Sequence, residues 1–339
     1  MTRSPTTRFR LARRGGVATA SAALVAACLG AGAANAAVSS GALDCAPQAL
    51  EGTAGGRALV GWDGVQKDPH NHTEAEVAAM EADFQIRLAQ LGAIPDVDES
   101  IDVEVYYHVV RADRTVEGGN VPRSWIREQN KYLNHSFRGK GHSDPGARTP
   151  FKFSMTDVDR TTNDDWFLNA APSSAIELEM KTALRTPGST AETLNVYLTN
   201  QLNVGLLGYA YYPSNYDDSA ESPILDGIVV ESQSLPGGSF APFDLGGTVV
   251  HEAGHWVGLY HTFQGGCDGP KGDRVEDTPK MTEPTSGCPE GKDSCAEADG
   301  LDPIHNYMDY SDDACYDQFT IGQRERSKDQ WYAYREGVA

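Results

Sequence analysis

His251-Glu252-Ala253-Gly254-His255-Trp256-Val257-Gly258-Leu259-Tyr260-His261 places three imidazoles and one carboxylate close together in the chain. On an α-helix, residues four apart share a face, so His251 and His255 can turn two ring nitrogens toward one ion with Glu252 beside them. Gly258 then interrupts the helix. Lacking a Cβ, it can take a positive φ and turn the chain sharply enough to bring His261 back as a third ligand. Three neutral ligands on tetrahedral zinc leave a fourth position for water, whose pKa drops from 15.7 toward about 7 on the ion. Glu252 is then placed to act as general base and later as general acid, without itself ligating. An ordinary amphipathic helix could carry two histidines four apart by chance. Gly258, His261 and the downstream turn Asn306-Tyr307-Met308-Asp309-Tyr310 are further demands met at set positions, and they make the pattern specific.

The run, with His261-Thr262-Phe263, Asp277-Thr278-Pro279 and Asn306 to Tyr310, resembles the pappalysin-like metzincin peptidases over roughly residues 100–335. The resemblance implies His251, His255 and His261 as zinc ligands, Glu252 as the catalytic glutamate and Met308 as the methionine beneath the metal. It also implies a role for Tyr310, whose phenol could donate to the oxyanion of a tetrahedral intermediate; the plainer reading is a packing tyrosine with a satisfied hydroxyl. The fold it implies is α/β (α+β) and metzincin-like. A twisted mixed sheet with an antiparallel edge strand and the zinc-site helix would sit above a loop-rich, disulfide-stapled C-terminal subdomain. Gly227 to Val230, a short β-branched run, is where the resemblance puts that edge strand. An unpaired edge offers backbone donors and acceptors to an extended peptide.

The 339-residue chain does not begin as a folded domain. Arg3, Arg8, Arg10, Arg13 and Arg14 precede an alanine-rich apolar stretch, and Ala34-Asn35-Ala36 offers a small-x-small cleavage site, so residues 1–36 read as an export signal. Val25-Ala26-Ala27-Cys28 also fits a lipoprotein processing site, which would tether the protein to a membrane through Cys28. Removing the signal takes away five arginines and no acid, deepening a net charge that already stands at −20. So acidic a body argues against nucleic acid and anionic membranes, which demand a basic footprint, and suits cationic peptides or calcium.

Cys267, Cys288, Cys295 and Cys315 surround the third histidine and the methionine turn, and an exported chain can oxidise them. Four cysteines allow three pairings; the resemblance implies Cys267 with Cys295 and Cys288 with Cys315. Cys45 is left over upstream. Its thiolate could occupy the water's position on zinc and keep a precursor silent, a candidate latency switch, or it could be an incidental free thiol. Carboxylates crowd the glycine-rich loops after His261, and the resemblance favours Asp273 and Asp277 as calcium ligands over a merely solvated acidic loop.

Residues 37–97 read as a pro-segment and 98–339 as the catalytic domain. The pro-segment holds one helix, with a Thr73/Glu76 capping box, an apolar stripe of Val77, Met80, Phe84, Leu88 and Leu91, and Gly92 as its stop. That helix could dock over the cleft or be a constitutive part of the mature fold; His70 and His72 before it read as solvated. Alternation from Ile101 to Arg111 predicts a strand, and Phe151 to Met155 and Leu194 to Leu198 predict two more. Helices are expected after Ser124, from Ser174 to Leu184 and at the C-terminus after Thr320. The chain thus reads as a secreted, monomeric zinc endopeptidase acting on polypeptides. A zinc hydrolase of a non-peptide amide and a non-catalytic zinc-binding protein are the alternatives.

Overall fold

The computed structural model describes residues 54–58, 72–92, 94, 100–140, 146–217, 219, 221–269 and 272–338; the signal stretch, Cys28, Cys45 and His70 lie outside the described residues. The strands are β1 (Ala54–Ala58), β2 (Ile101–Arg111), β3 (Phe151–Thr162), β4 (Leu194–Thr199), β5 (Leu206–Tyr211) and β6 (Ile228–Glu231). The helices are α1 (Glu74–Leu91), α2 (Arg123–Phe137), α3 (Asp164–Asn169), α4 (Ala175–Leu184), α5 (Ser222–Leu225), α6 (Gly247–Trp256) and α7 (Ile321–Tyr334).

All six strands form one sheet in the order β1-β5-β6-β4-β2-β3. β3, β2, β4 and β6 run parallel, whereas β5 is antiparallel to β6 and β1 antiparallel to β5. The expected edge strand at Gly227 to Val230 is therefore corrected. That segment becomes β6, an interior strand with its residues buried, as a β-branched run covered on both faces should be. The antiparallel strand is β5, Leu-Leu-Gly-Tyr-Ala-Tyr. Every residue of β5 is buried, so it lacks the in-and-out alternation that identifies a strand from sequence.

Side chains of one sheet face, among them Val103, Val105, Tyr107 and Val230, pack with Ile126 and Leu133 of α2 and Val249, Ala253 and Trp256 of α6. The other face sets Val110, Tyr197, Tyr209 and Val229 against Phe167 of α3 and Met180 of α4. α4 and α7 begin where the sequence predicts, and the structure adds their caps, Ser174 on α4 and a Thr320/Gln323 capping box on α7. α2 begins after Pro122 rather than with a Ser124 cap, and β3 continues past Met155 to Thr162 because it pairs with all of β2. Between α6 and α7 the chain is largely irregular and is held by the disulfides Cys267–Cys295 and Cys288–Cys315. No helix of the described residues is long and apolar enough to cross a membrane.

Arg335, the residue that follows α7, locks the far end of α6. Arg335, fully buried, donates from Nε to the Trp256 carbonyl at 3.0 Å and from Nη1 to the Ala191 carbonyl at 2.7 Å. Its two Nη atoms each reach the Asp226 carboxylate at 3.1 Å, and its guanidinium lies 3.8 Å from the centre of the Trp256 ring. Removing one member of such a buried pair strands the other charge, which costs about 3–5 kcal/mol. Arg335→Met should therefore lower unfolding free energy by about that amount, with an unchanged denaturant slope in urea titration.

Candidate metal centre and catalytic cleft

α6 carries His251, Glu252 and His255, all fully buried. Its N-terminus is fixed by Asp313, whose Oδ2 accepts from the backbone N–H groups of Leu245 (2.9 Å) and Gly247 (3.1 Å), placing a carboxylate at the positive end of the helix dipole. Its C-terminus ends on Gly258 at φ +96°, where the Gly258 and Leu259 amides donate to the carbonyls of His255 and Gly254. A Cβ at residue 258 would also strike Gln330. The turn returns His261 to the helix face.

The three rings converge. Nε2 of His255 lies 3.1 Å from Nε2 of His251 and 3.0 Å from Nε2 of His261. Nδ1 of His251 is 2.6 Å from the Tyr307 carbonyl and Nδ1 of His255 is 2.7 Å from the Leu259 carbonyl. A carbonyl only accepts, so both Nδ1 atoms carry the proton and both Nε2 atoms present bare lone pairs. Burial lowers the pKa of His255 to about 3, which keeps that ring neutral. Lone pairs facing each other at this range repel unless a cation lies between them. Ligands about 2.0–2.1 Å from a tetrahedral zinc would stand only slightly farther apart than these nitrogens do. The residues therefore fit a metal ion, and the carbonyl partners are the kind of second shell that orients ligating imidazoles.

The methionine turn forms the floor. A Cβ on Gly254 would come within 2.4 Å of the Met308 sulfur, so the absence of a side chain there lets Met308 pack under the helix. Thr262 donates its N–H to the Met308 carbonyl at 3.2 Å, tying the residue after the third histidine to the turn. Tyr310 is buried with its hydroxyl 3.1 Å from Nε2 of His261, and Phe263 stacks on the His261 ring at 4.6 Å.

Several functional neighbours were not legible beforehand. Tyr212 places its hydroxyl 3.0 Å from Nδ1 of His255. His72, expected to be solvated, is buried edge-on against Tyr212 with ring centres 4.9 Å apart; a residue's neighbours across the fold decide this, and the polar loop around it gave no sign of them. On β5, Gly208 lies against Glu252: a Cβ there would sit 3.0 Å from Cγ and Oε1 of the glutamate and 3.0 Å from the Val229 carbonyl. β1 covers the outer edge of β5, with Arg57 opposite Gly208, and runs alongside α6.

Asp273 and Asp277 line a cavity of about 480 Å³ together with Thr262, Glu276, Thr278 and Asp299. Asp273 is buried, and burial pushes its carboxyl up to about 7. One oxygen accepts from the Val275 amide, while the other and the nearby Thr278 hydroxyl form no hydrogen bond of normal geometry. Asp277 turns one oxygen to the Gly322 amide at 2.9 Å. Asp302, in the same acidic stretch, is engaged by Lys292 and Ser294.

Comparison with known proteins agrees with this geometry. The peptidase M43 family model, described as pregnancy-associated plasma protein-A, matches residues 188–331. Extracellular metalloprotease 1 of Coccidioides posadasii is 44% identical over 250 residues, covering 74% of this chain and 84% of its own. An extracellular metalloprotease of Verticillium alfalfae is 46% identical over 237 residues, covering 70% of this chain and 78% of its own. Among solved structures, Tannerella forsythia mature mirolysin in complex with a cleaved peptide matches at TM-score 0.57 and 27% identity, over 69% of this chain and 91% of that one. A promirolysin mutant from the same organism matches at TM-score 0.61 and 25% identity, over 77% and 90%.

Gly208→Ala tests the contact with the glutamate. With Glu252 as the expected general base, small displacements cost up to about 10²-fold, so kcat should fall by about tenfold or more with KM nearly unchanged, and the melting temperature should drop because the added Cβ also presses on the Val229 carbonyl, as steady-state kinetics and a melting curve would report.

Proposed function

The chain belongs to the pappalysin-like metzincin metallopeptidases and is a secreted zinc endopeptidase, and from that premise we propose how its residues divide the work of cutting a peptide bond. The convergence of three Nε2 atoms, with the Nδ1 protons of His251 and His255 committed to carbonyls, carries the reading: His251, His255 and His261 hold the zinc. When bound, zinc supplies Lewis acidity, acidifying a water and polarising the scissile carbonyl. Glu252 takes the proton of the attacking water and delivers it to the leaving amine. The Tyr310 hydroxyl, beside His261, donates to the oxyanion of the tetrahedral intermediate. Met308 gives the site an apolar floor.

Substrate adds as an extended strand along β5, the sheet edge next to α6, and exchanges main-chain hydrogen bonds with it. β1 lies on that edge in the described chain, which supports a latent precursor whose N-terminal segment must leave before a polypeptide enters. Cys45, upstream of β1 in sequence, remains a candidate for silencing the zinc in that precursor. The secreted enzyme works as a monomer on polypeptides.

Calcium is the second ion we propose. A buried carboxylate oxygen and hydroxyl without normal hydrogen bonds, in an acidic cavity, suit a hard cation with oxygen ligands. Asp273 is its principal ligand, with Asp277 beside it.

Two measurements test these roles. New termini released from an unfolded protein should be found by mass spectrometry with the wild type, while Glu252→Ala cuts about 10²–10⁴-fold more slowly; equal cutting by both would remove Glu252 from the mechanism. Calcium at about one hundred times its dissociation constant should stabilise the protein by about 2.7 kcal/mol. A thermal scan should show that increment vanish in Asp273→Asn, and an undiminished calcium response in the variant would exclude the site.

A further inference from the structure

α1 grips the turn between the second and third histidines. Arg326 of α7, largely buried, donates from Nε to the Gly258 carbonyl at 3.0 Å, and its Nη1 and Nη2 reach the two carboxylate oxygens of Glu81 on α1 at 3.2 and 2.5 Å. The Tyr260 hydroxyl donates to the same carboxylate at 3.3 Å, and the Arg326 guanidinium lies 4.7 Å from the centre of the Tyr260 ring. At the other end of the turn, Gln264 donates to the His72 carbonyl at 3.1 Å and to Glu74 at 3.3 Å. Val77 and Phe84 bury the apolar face of the helix, Phe84 stacking on Tyr334, whose hydroxyl donates to Asp83 at 2.9 Å. Gly258, Tyr260 and Gln264 bracket His261, so three positions of its turn depend on α1 directly or through Arg326.

These contacts are not those of a segment built to be discarded. Loss of α1 would leave a buried guanidinium without its carboxylate and would uncover Tyr260, Tyr212 and Phe84-facing Tyr334. β1 stands in contrast, since it lies along the edge where substrate is read to add. We propose that α1 is part of the active enzyme, that Glu81 acting through Arg326 is a positioning residue for His261, and that the maturation cut lies N-terminal to Thr73. The inference rests on the reading of the three histidines as zinc ligands.

The test has two parts. The N-terminus of the active, secreted enzyme is sequenced: a start upstream of Thr73 is expected, and an active enzyme starting at or beyond Thr73 overturns the proposal. Zinc affinity is then measured by chelator competition on the full chain carrying Glu252→Ala, which avoids self-cleavage, alone and with Glu81→Gln, Arg326→Met or both. Each single change should weaken zinc binding by about tenfold, about 1.4 kcal/mol, and the double change should add little to either, because both break one relay. If the variants melt at lower temperature yet keep the parent's zinc affinity, Glu81 is merely structural and the proposal fails. A parent that binds no zinc brings down the metal reading itself, an outcome distinct from unchanged affinity in a zinc-binding parent.

Discussion

Three imidazoles gathered so that Nε2 of His255 lies 3.1 Å from that of His251 and 3.0 Å from that of His261, with the lone pairs of His251 and His255 facing, are the constraint on which this fold depends. Without a cation the arrangement is repulsive, so the surrounding chain must hold it open to a metal. The means are spread over distant parts of the sequence. The Tyr307 and Leu259 carbonyls fix the tautomers of two rings, Asp313 anchors the start of α6, and Arg335 with Asp226 anchors its end. Gly258 supplies the reversal and Gly254 the space for Met308. Complete burial of the helix adds desolvation, which keeps His255 in the neutral form a metal requires.

How much of this was legible follows from how local each signal is. The histidine spacing, Gly258, Met308 and Tyr310 lie in two short stretches whose meaning is carried by offsets along the chain, and the geometry gathers those residues around one point. The Thr73/Glu76 capping box is likewise local, since a side chain three residues from its partner needs no tertiary information. β5 carries no such signal because burial on both faces erases alternation, and the interior place of β6 is not written in its own residues because strand order is set by pairing over long separations. Arg326, Arg335, Tyr212 and Gly208 carried no advance signal. Arginine and tyrosine are ordinarily read as surface or packing residues, and only the folded chain puts them beside the zinc helix or its turn.

The region after His261 follows different economics from the sheet. It has few regular elements and little core of its own, so it relies on cross-links and charge. Two disulfides close loops of similar length, that of Cys288–Cys315 enclosing the methionine turn, and Lys292 pairs with buried Asp302. Asp273 is the exception that reveals a cost, a carboxyl whose burial favours the proton over the charge and whose second oxygen finds no normal partner.

β5 joins the two halves of the chemistry. Its inner neighbour is β6, its outer neighbour is β1, and at Gly208 it gives way to the carboxylate of Glu252. A strand that adds to this edge must run antiparallel to β5 to take up the ladder that β1 uses, and the residue it sets opposite Gly208 passes beside Glu252. Backbone pairing would thus set the direction of a bound peptide, whatever its side chains, and leave to side-chain contacts the choice of the residue that passes beside Glu252. Side-chain preference must then come from pockets alternating along the bound strand. The sheet edge proposed to admit a substrate already pairs with β1, so a substrate strand and β1 would compete for one set of hydrogen-bonding groups.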